Sequence, residues 1–495
     1  MAKLITKSRF VLGLQCPKLF WYSINDKTHL SDPDEGALFR FQEGTAAGVL
    51  ATEVFLGGIS VPQSNFMGNI NQTKEMLSKR VPLFEAGFLC DSFYSRIDIL
   101  NPVGDDEWDI IEVKSTTKVK EEHISDIAFQ KFVCEISGLK IKSCHLMHMN
   151  KNYYKNGEIV PNKLFILENV TQQVIDYDKD WLVPNTAKKL LAIAALPAPP
   201  DVQISPSCDA PYICPNKKEC WAMIPEGSVF ELNGSDIKKF SLYKQGVVKI
   251  TDIPDETSLT PFQRIQYNSE VGGIDYMETD GMKYFLKKLV FPLTFLSFNS
   301  YSNAVPLYDG TRTYQPMLFQ YAFHTLATLN PPALRTSFIA SGQEGSNPLL
   351  EFAASLKEKL PTEGHIIIYD ELFSKWALRD LGKTNPEYAP WIEDVIARTI
   401  NLYDIFKEFQ FYSPKQHGDL SFRAVLTALV GENGVSNSLD DNIVGIRFFK
   451  SLSSQYNVSP EDVQNWRSEI FSYCVNNSLG MVKIVKYLSD LVSKT

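Results

Sequence analysis

The sequence predicts an α/β protein built from two α/β units, and three observations support this class. Apolar runs of strand length alternate with amphipathic stretches of helix length in both halves of the chain. At 495 residues the chain is too long for one ordinary core, so two or three domains are expected. A proline-rich segment at 196–200 and a turn-rich stretch at 226–290 separate the two patterned regions.

Residues 1–225 are predicted to form the first unit, with the element order α-β-β-β-α-β. The turn sequence Gly-Asp-Asp-Glu at 104–107 predicts a hairpin between the second and third strands. The predicted elements are helices at 8–22 and 34–55, strands near 83–90, 92–100 and 107–115, a helix at 124–137, a strand at 142–150 and a helix at 182–195.

Residues 226–290 are predicted to be a connector that mixes short helices with turns, and residues 291–495 a second α/β unit. The predicted elements of this unit are strands at 292–298, 317–326 and 335–341, a helix at 348–360 and a strand at 365–370. From residue 371 onward the pattern is almost entirely helical.

The composition is that of an ordinary globular protein, with 44% apolar and 22% charged residues. The net charge of −9 argues against a general nucleic-acid coat protein, although a nuclease with a local basic groove remains compatible with it. No apolar run reaches the roughly 18 residues of a membrane span, and the N-terminus lacks a signal-peptide core. We therefore expect a cytoplasmic protein without a membrane partner, whose cysteines are thiols or metal ligands rather than disulfides.

The clearest chemical pattern is an acidic residue followed by a Glu-x-Lys motif. Residues i and i+2 of a strand share a face, so Glu112 and Lys114 point the same way and Val113 points into the core. If the two strands pair, Asp98 lies close to Glu112. Two such carboxylates can bind Mg²⁺ or Mn²⁺, and the lysine can position a water and stabilise the transition state of phosphodiester hydrolysis. The alternative is a half-buried strand with ordinary surface ion pairs.

This order of strands, followed by a helix that carries Gln130, resembles the RecB-like branch of the PD-(D/E)xK nuclease superfamily. The resemblance implies a restriction-endonuclease-like fold and metal-dependent cleavage of DNA. It implies that Asp98 and Glu112 bind the metal, that Lys114 assists attack by water, and that Gln130 orients the site.

Two positions depart from the RecB-like pattern. Cys134 stands where the family has a tyrosine, and Thr45 stands where many members have a metal-binding histidine. Glu43 and Glu85 are the acids that could replace this histidine.

A second pattern is the spacing C-x5-C-x5-C formed by Cys208, Cys214 and Cys220, with Cys16 as the distant fourth cysteine. Structural zinc sites favour closer pairs, and a four-iron cluster needs four cysteines, but zinc and free thiols remain alternatives. The arrangement resembles iron–sulfur RecB-like nucleases, which implies that these four residues hold a [4Fe-4S] cluster. The remaining cysteines lie in apolar patterns and are predicted to be buried: Cys90, Cys134, Cys144 and Cys474.

The second unit resembles a DEDD-type exonuclease with an RNase H-like fold, but neutral residues stand where acids are expected. The first motif reads Phe-Leu-Ser-Phe-Asn-Ser at 295–300, and the other three motifs place Ser374, Asn401 and Asn477 at the acidic positions. Because serine and asparagine lack the charge that attracts Mg²⁺, we predict a degenerate, non-catalytic exonuclease domain.

The segments 304–324, 212–221 and 476–484 resemble a bacterial family of largely uncharacterised proteins that fuse these two domains. The resemblance implies that catalysis belongs to the N-terminal unit and that the C-terminal unit binds DNA, a protein partner or its own nuclease domain. Tyr314, Phe319 and Tyr321 could stack on bases, or they could be core residues.

The predicted function is a metal-dependent DNA nuclease, in DNA repair or in defence against foreign DNA. A non-catalytic nucleic-acid-binding or assembly subunit is the alternative, supported by the absent histidine and the neutral exonuclease positions. A third alternative is a nuclease that stays inactive until a partner completes its site.

Overall fold

The computed structural model describes residues 3–62, 65–329, 332–343, 345–431, 440–452, 456 and 458–494. These residues form a mixed α/β protein, which confirms the predicted class at this level. The chain separates into two compact units. Unit 1 consists of Met1–Met223 and Asn303–Tyr314, and unit 2 of Ile224–Ser302 and Gln315–Thr495.

Unit 1 is built around a seven-stranded sheet in the described part of the chain. Its strands are β1 (Ile5–Thr6), β2 (Ile59–Ser60), β3 (Leu83–Cys90), β4 (Phe93–Val103), β5 (Glu107–Lys114), β6 (Lys140–Met149) and β7 (Phe165–Asn169). Its helices are α1 (Lys7–Gln15), α2 (Pro17–Asn25), α3 (Glu35–Thr52), α4 (Phe66–Met76), α5 (Glu121–Ile136), α6 (Pro161–Leu164), α7 (Thr171–Tyr177), α8 (Leu182–Ala194) and α9 (Lys217–Cys220).

The sheet of unit 1 is mixed. Its strand order is β2-β3-β4-β5-β6-β7, and β1 pairs in parallel with β4 outside this path. Strands β3, β4 and β5 are antiparallel neighbours, whereas β6 runs parallel to β5 because α5 connects them as a crossover. The predicted hairpin is confirmed, since β4 ends at Val103, β5 begins at Glu107 and Gly104 takes a φ of 56° in the turn.

The single N-terminal helix predicted at 8–22 is wrong, because the structure has two helices there. Helix α1 begins after Thr6, whose side chain accepts a hydrogen bond from the N–H of Arg9. Cys16 has extended backbone angles, φ −161° and ψ 124°, and separates α1 from α2. Pro17 suits the first position of α2 but lacks the N–H that would continue α1. Cys16 therefore lies at a break between two helices.

Apolar residues cover both faces of the unit 1 sheet. One cluster contains Phe129 of α5 together with Ile110 of β5. The other contains Ala47 of α3 together with Ile111 of β5. Because side chains alternate along a strand, β5 directs Ile110 toward α5 and Ile111 toward α3. Glu112 is two residues beyond Ile110 and therefore faces α5.

Segment 303–314 belongs to unit 1, although in the sequence it lies between two parts of unit 2. The N–H of Lys155 donates to the carbonyl of Thr311 at 2.9 Å, and the N–H of Gly310 donates to the carbonyl of Lys155 at 2.9 Å. Ala304 is buried in the apolar cluster on the α3 face of the sheet. The predicted division of the chain into continuous ranges therefore does not match the two units, because each unit consists of two separate stretches of sequence.

Unit 2 contains, over its described residues, a five-stranded sheet and a two-stranded sheet. Its strands are β8 (Tyr276–Met277), β9 (Leu293–Tyr301), β10 (Met317–Leu326), β11 (Leu334–Ile339), β12 (Ile366–Ile368), β13 (Thr399–Asn401) and β14 (Phe411–Tyr412). The larger sheet has the order β11-β10-β9-β12-β13, and β8 pairs with β14. Strand β10 is antiparallel to β9 and β11, whereas β12 is parallel to β9 and β13.

Helices pack around these strands and form most of the chain after residue 371. The helices of unit 2 are α10 (Asp236–Lys244), α11 (Pro261–Gly272), α12 (Thr279–Lys287), α13 (Pro348–Lys359), α14 (Glu371–Thr384), α15 (Ala389–Ala397), α16 (Tyr403–Lys407), α17 (Phe422–Val430), α18 (Asp441–Ser451) and α19 (Pro460–Lys494). The sequence pattern missed β13 and β14, which are too short to show a period. None of the described helices has the length and apolar character needed to cross a bilayer.

Candidate functional site

Asp98 and Glu112 lie opposite each other on the β4–β5 hairpin. The register pairs Ile99 with Ile111, so its continuation pairs Asp98 with Glu112. Directly opposed residues of an antiparallel pair have Cβ atoms about 4.5–5.5 Å apart. The Oδ2 of Asp98 also accepts a hydrogen bond from the N–H of Val113 at 2.9 Å. The structure therefore brings together the two carboxylates that the sequence predicted as metal ligands.

Glu112 is the buried centre of the site, with 1% of its surface exposed. The Nζ of Lys114, two residues along the same face of β5, lies 2.6 Å from Glu112 Oε1. The Nε2 of Gln130, which α5 directs toward the sheet, donates to Glu112 Oε2 at 2.7 Å. All four predicted site residues are thus neighbours.

Two further charged residues belong to this cluster and were not predicted. The Nζ of Lys7, in the first turn of α1, lies 2.8 Å from Oε1 and 3.0 Å from Oε2 of Glu112. The Oδ2 of Asp126 accepts a hydrogen bond from Lys114 Nζ at 2.8 Å. Asp126 is four residues before Gln130, so helical spacing could have placed both on one face. No sequence signal identified Lys7.

The charges in this cluster shift the pKa values of the two facing carboxyl groups in opposite directions. Burial, reinforced by the negative charge of Glu112, raises the pKa of Asp98 to about 7. Burial would also raise the pKa of Glu112, but the ammonium groups of Lys114 and Lys7 outweigh it and hold that pKa well below its usual range. The pKa of Lys114 is raised, because Glu112 and Asp126 outweigh the effect of burial. Lys114 is therefore an ammonium group at neutral pH.

The oxygen atoms of this cluster are of the donor type that a hard divalent cation prefers. Among the described residues, no group of three or more His, Cys, Asp and Glu side chains is arranged so that it could hold a metal ion. The site offers two facing carboxylates and an amide oxygen, because Oε1 of Gln130 is buried without a hydrogen-bond partner among the described residues. Carboxylate and amide oxygens are the ligands that Mg²⁺ and Mn²⁺ prefer.

The residue at the expected histidine position does not face this site. Thr45 is exposed, and its hydroxyl donates to the carbonyl of Phe41 within α3. The two acids considered as replacements are engaged elsewhere. Glu43 accepts a hydrogen bond from the N–H of Ala304 at 2.7 Å, and Glu85 pairs with Arg96 at 2.6 Å.

The four cysteines predicted as cluster ligands influence one another electrostatically. Burial raises the pKa of the Cys214 thiol to about 11; the N–H of Asn216 opposes this shift, and Cys16, Cys208 and Cys220 add to it. The N–H of Cys214 donates to the carbonyl of Cys208 at 2.8 Å. The described cysteines are free thiols. Four thiols are the donor set that a [4Fe-4S] cluster requires, but the described cysteines form no group of three or more that is arranged to hold a metal ion.

Gln15 joins the α1–α2 break to the cysteine-rich loop. Its Nε2 donates to the carbonyl of Ser207 at 2.8 Å and to the carbonyl of Tyr212 at 2.7 Å. The side chain is 9% exposed, so both hydrogen bonds are largely shielded from water. This amide holds the loop beside Cys16.

The structure corrects one prediction about buried residues and decides between two alternatives for another pair. Cys134, Cys144 and Cys474 are buried as predicted, but Cys90 is only half-buried, because it is the last residue of β3. Of the two alternatives for Phe319 and Tyr321, the structure supports core packing, because both are fully buried in the core of unit 2.

The third aromatic residue considered for stacking, Tyr314, belongs to segment 303–314 of unit 1. Its Oη donates to the carbonyl of Ser115, the residue that follows Lys114. Burial raises the pKa of Tyr314 to about 12. The tyrosine therefore borders the candidate site through its hydroxyl group.

The neutral residues at the predicted exonuclease positions make local hydrogen bonds. Asn299 Oδ1 accepts from the N–H of Ser300 at 2.7 Å, and Asn401 Nδ2 donates to Asp404 at 2.8 Å. Ser374 is half-buried on α14.

The sequence missed a carboxylate near the last of these positions. Tyr473 hydrogen-bonds to both Asn477 and Asp441. Desolvation raises the pKa of Asp441, although its side chain keeps solvent access, and Asp440 and Asp370 raise it further. Helix α18 thus supplies an acid that the motif comparison did not include.

Residues 294–421 match one family model, described as Domain of unknown function (DUF2779). The matched stretch covers only part of the chain and leaves out the cluster around Glu112, so it identifies a similar region and no activity. None of the curated proteins matches the sequence.

Proposed function

We propose that unit 1 is a Mg²⁺- or Mn²⁺-dependent nuclease that hydrolyses phosphodiester bonds of DNA. The observation that carries this proposal is the meeting of Asp98, Glu112 and Lys114 at one point of the β4–β5 hairpin, with Gln130 bound to Glu112. This is the combination of residue types that the resemblance to RecB-like PD-(D/E)xK nucleases requires.

Each residue of the cluster has a role that follows from its contacts. Asp98 and Glu112 would hold a divalent cation, which would supply Lewis-acid stabilisation of the scissile phosphate. Lys114 lies between Glu112 and Asp126 and stays protonated, so it stabilises negative charge rather than accepting a proton. Gln130 holds the Glu112 carboxylate in place through its amide N–H.

We propose further that Cys16, Cys208, Cys214 and Cys220 hold a [4Fe-4S] cluster with a structural role. Cys214 interacts electrostatically with the other three thiols, and the residue next to Cys16 is hydrogen-bonded to the loop that carries Cys208, Cys214 and Cys220. Such a cluster would join two parts of the chain that are far apart in sequence, which restricts the unfolded state.

Unit 2 is proposed to be a degenerate DEDD-like domain that binds DNA or a protein partner. The neutral residues Ser374, Asn401 and Asn477 at the motif positions support this assignment. A mixed five-stranded sheet covered by helices is compatible with an RNase H-like unit.

A cleavage assay on the full-length protein tests the nuclease proposal. Purified protein should cut single- or double-stranded DNA with Mg²⁺ or Mn²⁺ and should be inactive in EDTA. Lys114→Ala should lower the rate by roughly 100-fold or more, because a charge-stabilising donor is lost at the transition state. Lys118→Ala is the matched control, since Lys118 is exposed and only four residues away.

If the metal-loaded protein cuts no DNA, or if Lys114→Ala cuts as fast as the wild type, the nuclease proposal is wrong. The non-catalytic nucleic-acid-binding subunit would then be favoured. Under that alternative Lys114→Ala should leave DNA binding nearly unchanged.

The cysteine proposal is tested by an absorbance spectrum and by metal analysis of protein purified without oxygen. Wild-type protein should contain iron and show an absorbance band at about 400 nm, whereas a zinc-loaded protein would lack this band. Cys208→Ser should lose the absorbance, and Cys90→Ser should keep it, because Cys90 lies outside the four-thiol group. Zinc without iron in the wild type would overturn the iron–sulfur assignment.

A further inference from the structure

The carboxylate of Glu112 has no free hydrogen-bonding position in this structure. A carboxylate offers about four acceptor positions. Oε1 of Glu112 lies 2.8 Å from Lys7 Nζ and 2.6 Å from Lys114 Nζ. Oε2 lies 3.0 Å from Lys7 Nζ and 2.7 Å from Gln130 Nε2. Glu112 can therefore hold a cation only after one of these donors moves away.

Lys7 is the donor best able to leave. Its contact with Oε2, at 3.0 Å, is the longest of the four. It comes from α1, whereas Lys114 shares β5 with Glu112 and Gln130 is fully buried on α5. The lysine side chain is a flexible four-carbon stem, which can change position at low cost.

Asp126 provides a second position for the Lys7 ammonium group. Lys7 Nζ lies 4.0 Å from Asp126 Oδ2, just beyond hydrogen-bond distance. Oδ1 of Asp126 is buried and has no hydrogen-bond partner among the described residues. A shift of Lys7 toward Asp126 would therefore replace its contact with Glu112 by a contact with a second carboxylate that still has acceptor capacity.

We propose that Lys7 is a positioning residue that occupies the Glu112 carboxylate in the metal-free protein and moves toward Asp126 when a divalent cation is held there. This inference rests on the proposed metal site of the nuclease. Lys7 competes with the cation for Glu112, because two positive groups that share one carboxylate repel each other. Lys7 also keeps the buried acids paired when no metal is present.

The proposal predicts that removing the Lys7 charge strengthens metal binding. Full-length Lys7→Met should bind Mn²⁺ about tenfold more tightly or better than the wild type, as measured by the electron paramagnetic resonance signal of free Mn²⁺. Lys7→Arg keeps the charge and should not strengthen binding. Lys118→Met is the matched control for loss of an exposed lysine and should bind Mn²⁺ as the wild type does.

A purely structural Lys7 gives the opposite result. Lys7→Met would then bind Mn²⁺ as the wild type does or more weakly, and either result overturns the proposal. Thermal unfolding distinguishes the two roles if Lys7→Met is unstable. Under the proposal the variant should lose stability in EDTA and recover most of it in excess Mn²⁺, and an equal loss in both conditions contradicts it.

Glu112→Gln separates this inference from the proposed function. If the wild type binds Mn²⁺ and Glu112→Gln does not, the metal site stands and the Lys7 variants decide the inference alone. If Glu112→Gln binds Mn²⁺ as well as the wild type, or if the wild type binds none, the proposed metal site itself is wrong and the role of Lys7 falls with it.

Discussion

At the scale of single residues, the candidate site combines several carboxylates and a smaller number of ammonium groups in a space that is largely shielded from water. Among the described residues, Asp98, Glu112 and Asp126 share two lysines, so the carboxylates outnumber the ammonium groups close to them. Glu112 contacts both lysines directly, whereas Asp98 accepts a hydrogen bond from a backbone N–H. Asp98 is half-buried, and partial desolvation of a carboxylate that faces a second carboxylate is the physical reason for its raised pKa.

This imbalance predicts how stability depends on pH in the absence of metal. The pKa of Asp98 is raised from 3.8 to about 7, so the folded protein binds this proton more tightly than the unfolded chain. The stability of the wild type should therefore fall as the pH rises from about 4 toward about 7. Asp98→Asn removes the negative charge whose desolvation lowers stability, and the amide oxygen of the asparagine can still accept a hydrogen bond from the N–H of Val113.

The measurement is chemical unfolding in EDTA at about pH 5 and about pH 8. Asp98→Asn should be more stable than the wild type by roughly 1–3 kcal/mol at the higher pH, and the gain should shrink at the lower one. Asp105→Asn, in the exposed hairpin turn, is the control and should change stability little at either pH. A destabilised Asp98→Asn at about pH 8 would contradict the assignment.

At the scale of elements, the β4–β5 hairpin and α5 were predictable because each carries a strong local pattern. Alternating apolar residues and a Gly-Asp-Asp-Glu turn define the hairpin, and the same pattern sets the faces of Glu112 and Lys114. Helix α4 and strand β7 were not predicted. Neither has a clear apolar period, and most of β7 is exposed. Their conformation depends on the elements they pack against.

The junction between α1, α2 and the cysteine-rich loop carries a testable prediction. Gln15→Ala removes both hydrogen bonds to the loop carbonyls, so unit 1 should lose about 1–2 kcal/mol of unfolding free energy. Gln172→Ala is the control, because the Gln172 side chain donates to Asp176 at an exposed position of α7. Urea unfolding of both variants measures the difference, and equal stabilities would show that Gln15 does not hold the loop.

At the scale of the whole molecule, segment 303–314 shows that sequence order and structural units differ. Tyr314 is bound to Ser115, and Ala304 is bound to Glu43, so unit 1 is incomplete without this segment. A chain that ends after Met223 lacks these contacts and leaves part of the α3-face cluster exposed to water.

Such a shortened chain should therefore unfold at a lower temperature than unit 1 of the full-length protein and be cut faster by protease. A peptide with the sequence of 303–314 should raise its unfolding temperature, and a scrambled peptide should not. Equal stability of the shortened chain and of unit 1 in the full-length protein would show that the segment is dispensable for folding.

The sequence alone determined the α/β class, the hairpin and the positions of Asp98, Glu112, Lys114 and Gln130 on neighbouring elements, because these depend on short periodic patterns. It did not determine the places of Lys7 and segment 303–314. Both reach the site from residues distant in the chain, and such contacts leave no local signature in the sequence. Only the tertiary structure decided that the Lys7 ammonium group contacts the Glu112 carboxylate, because the packing of distant elements determines which charged groups lie together.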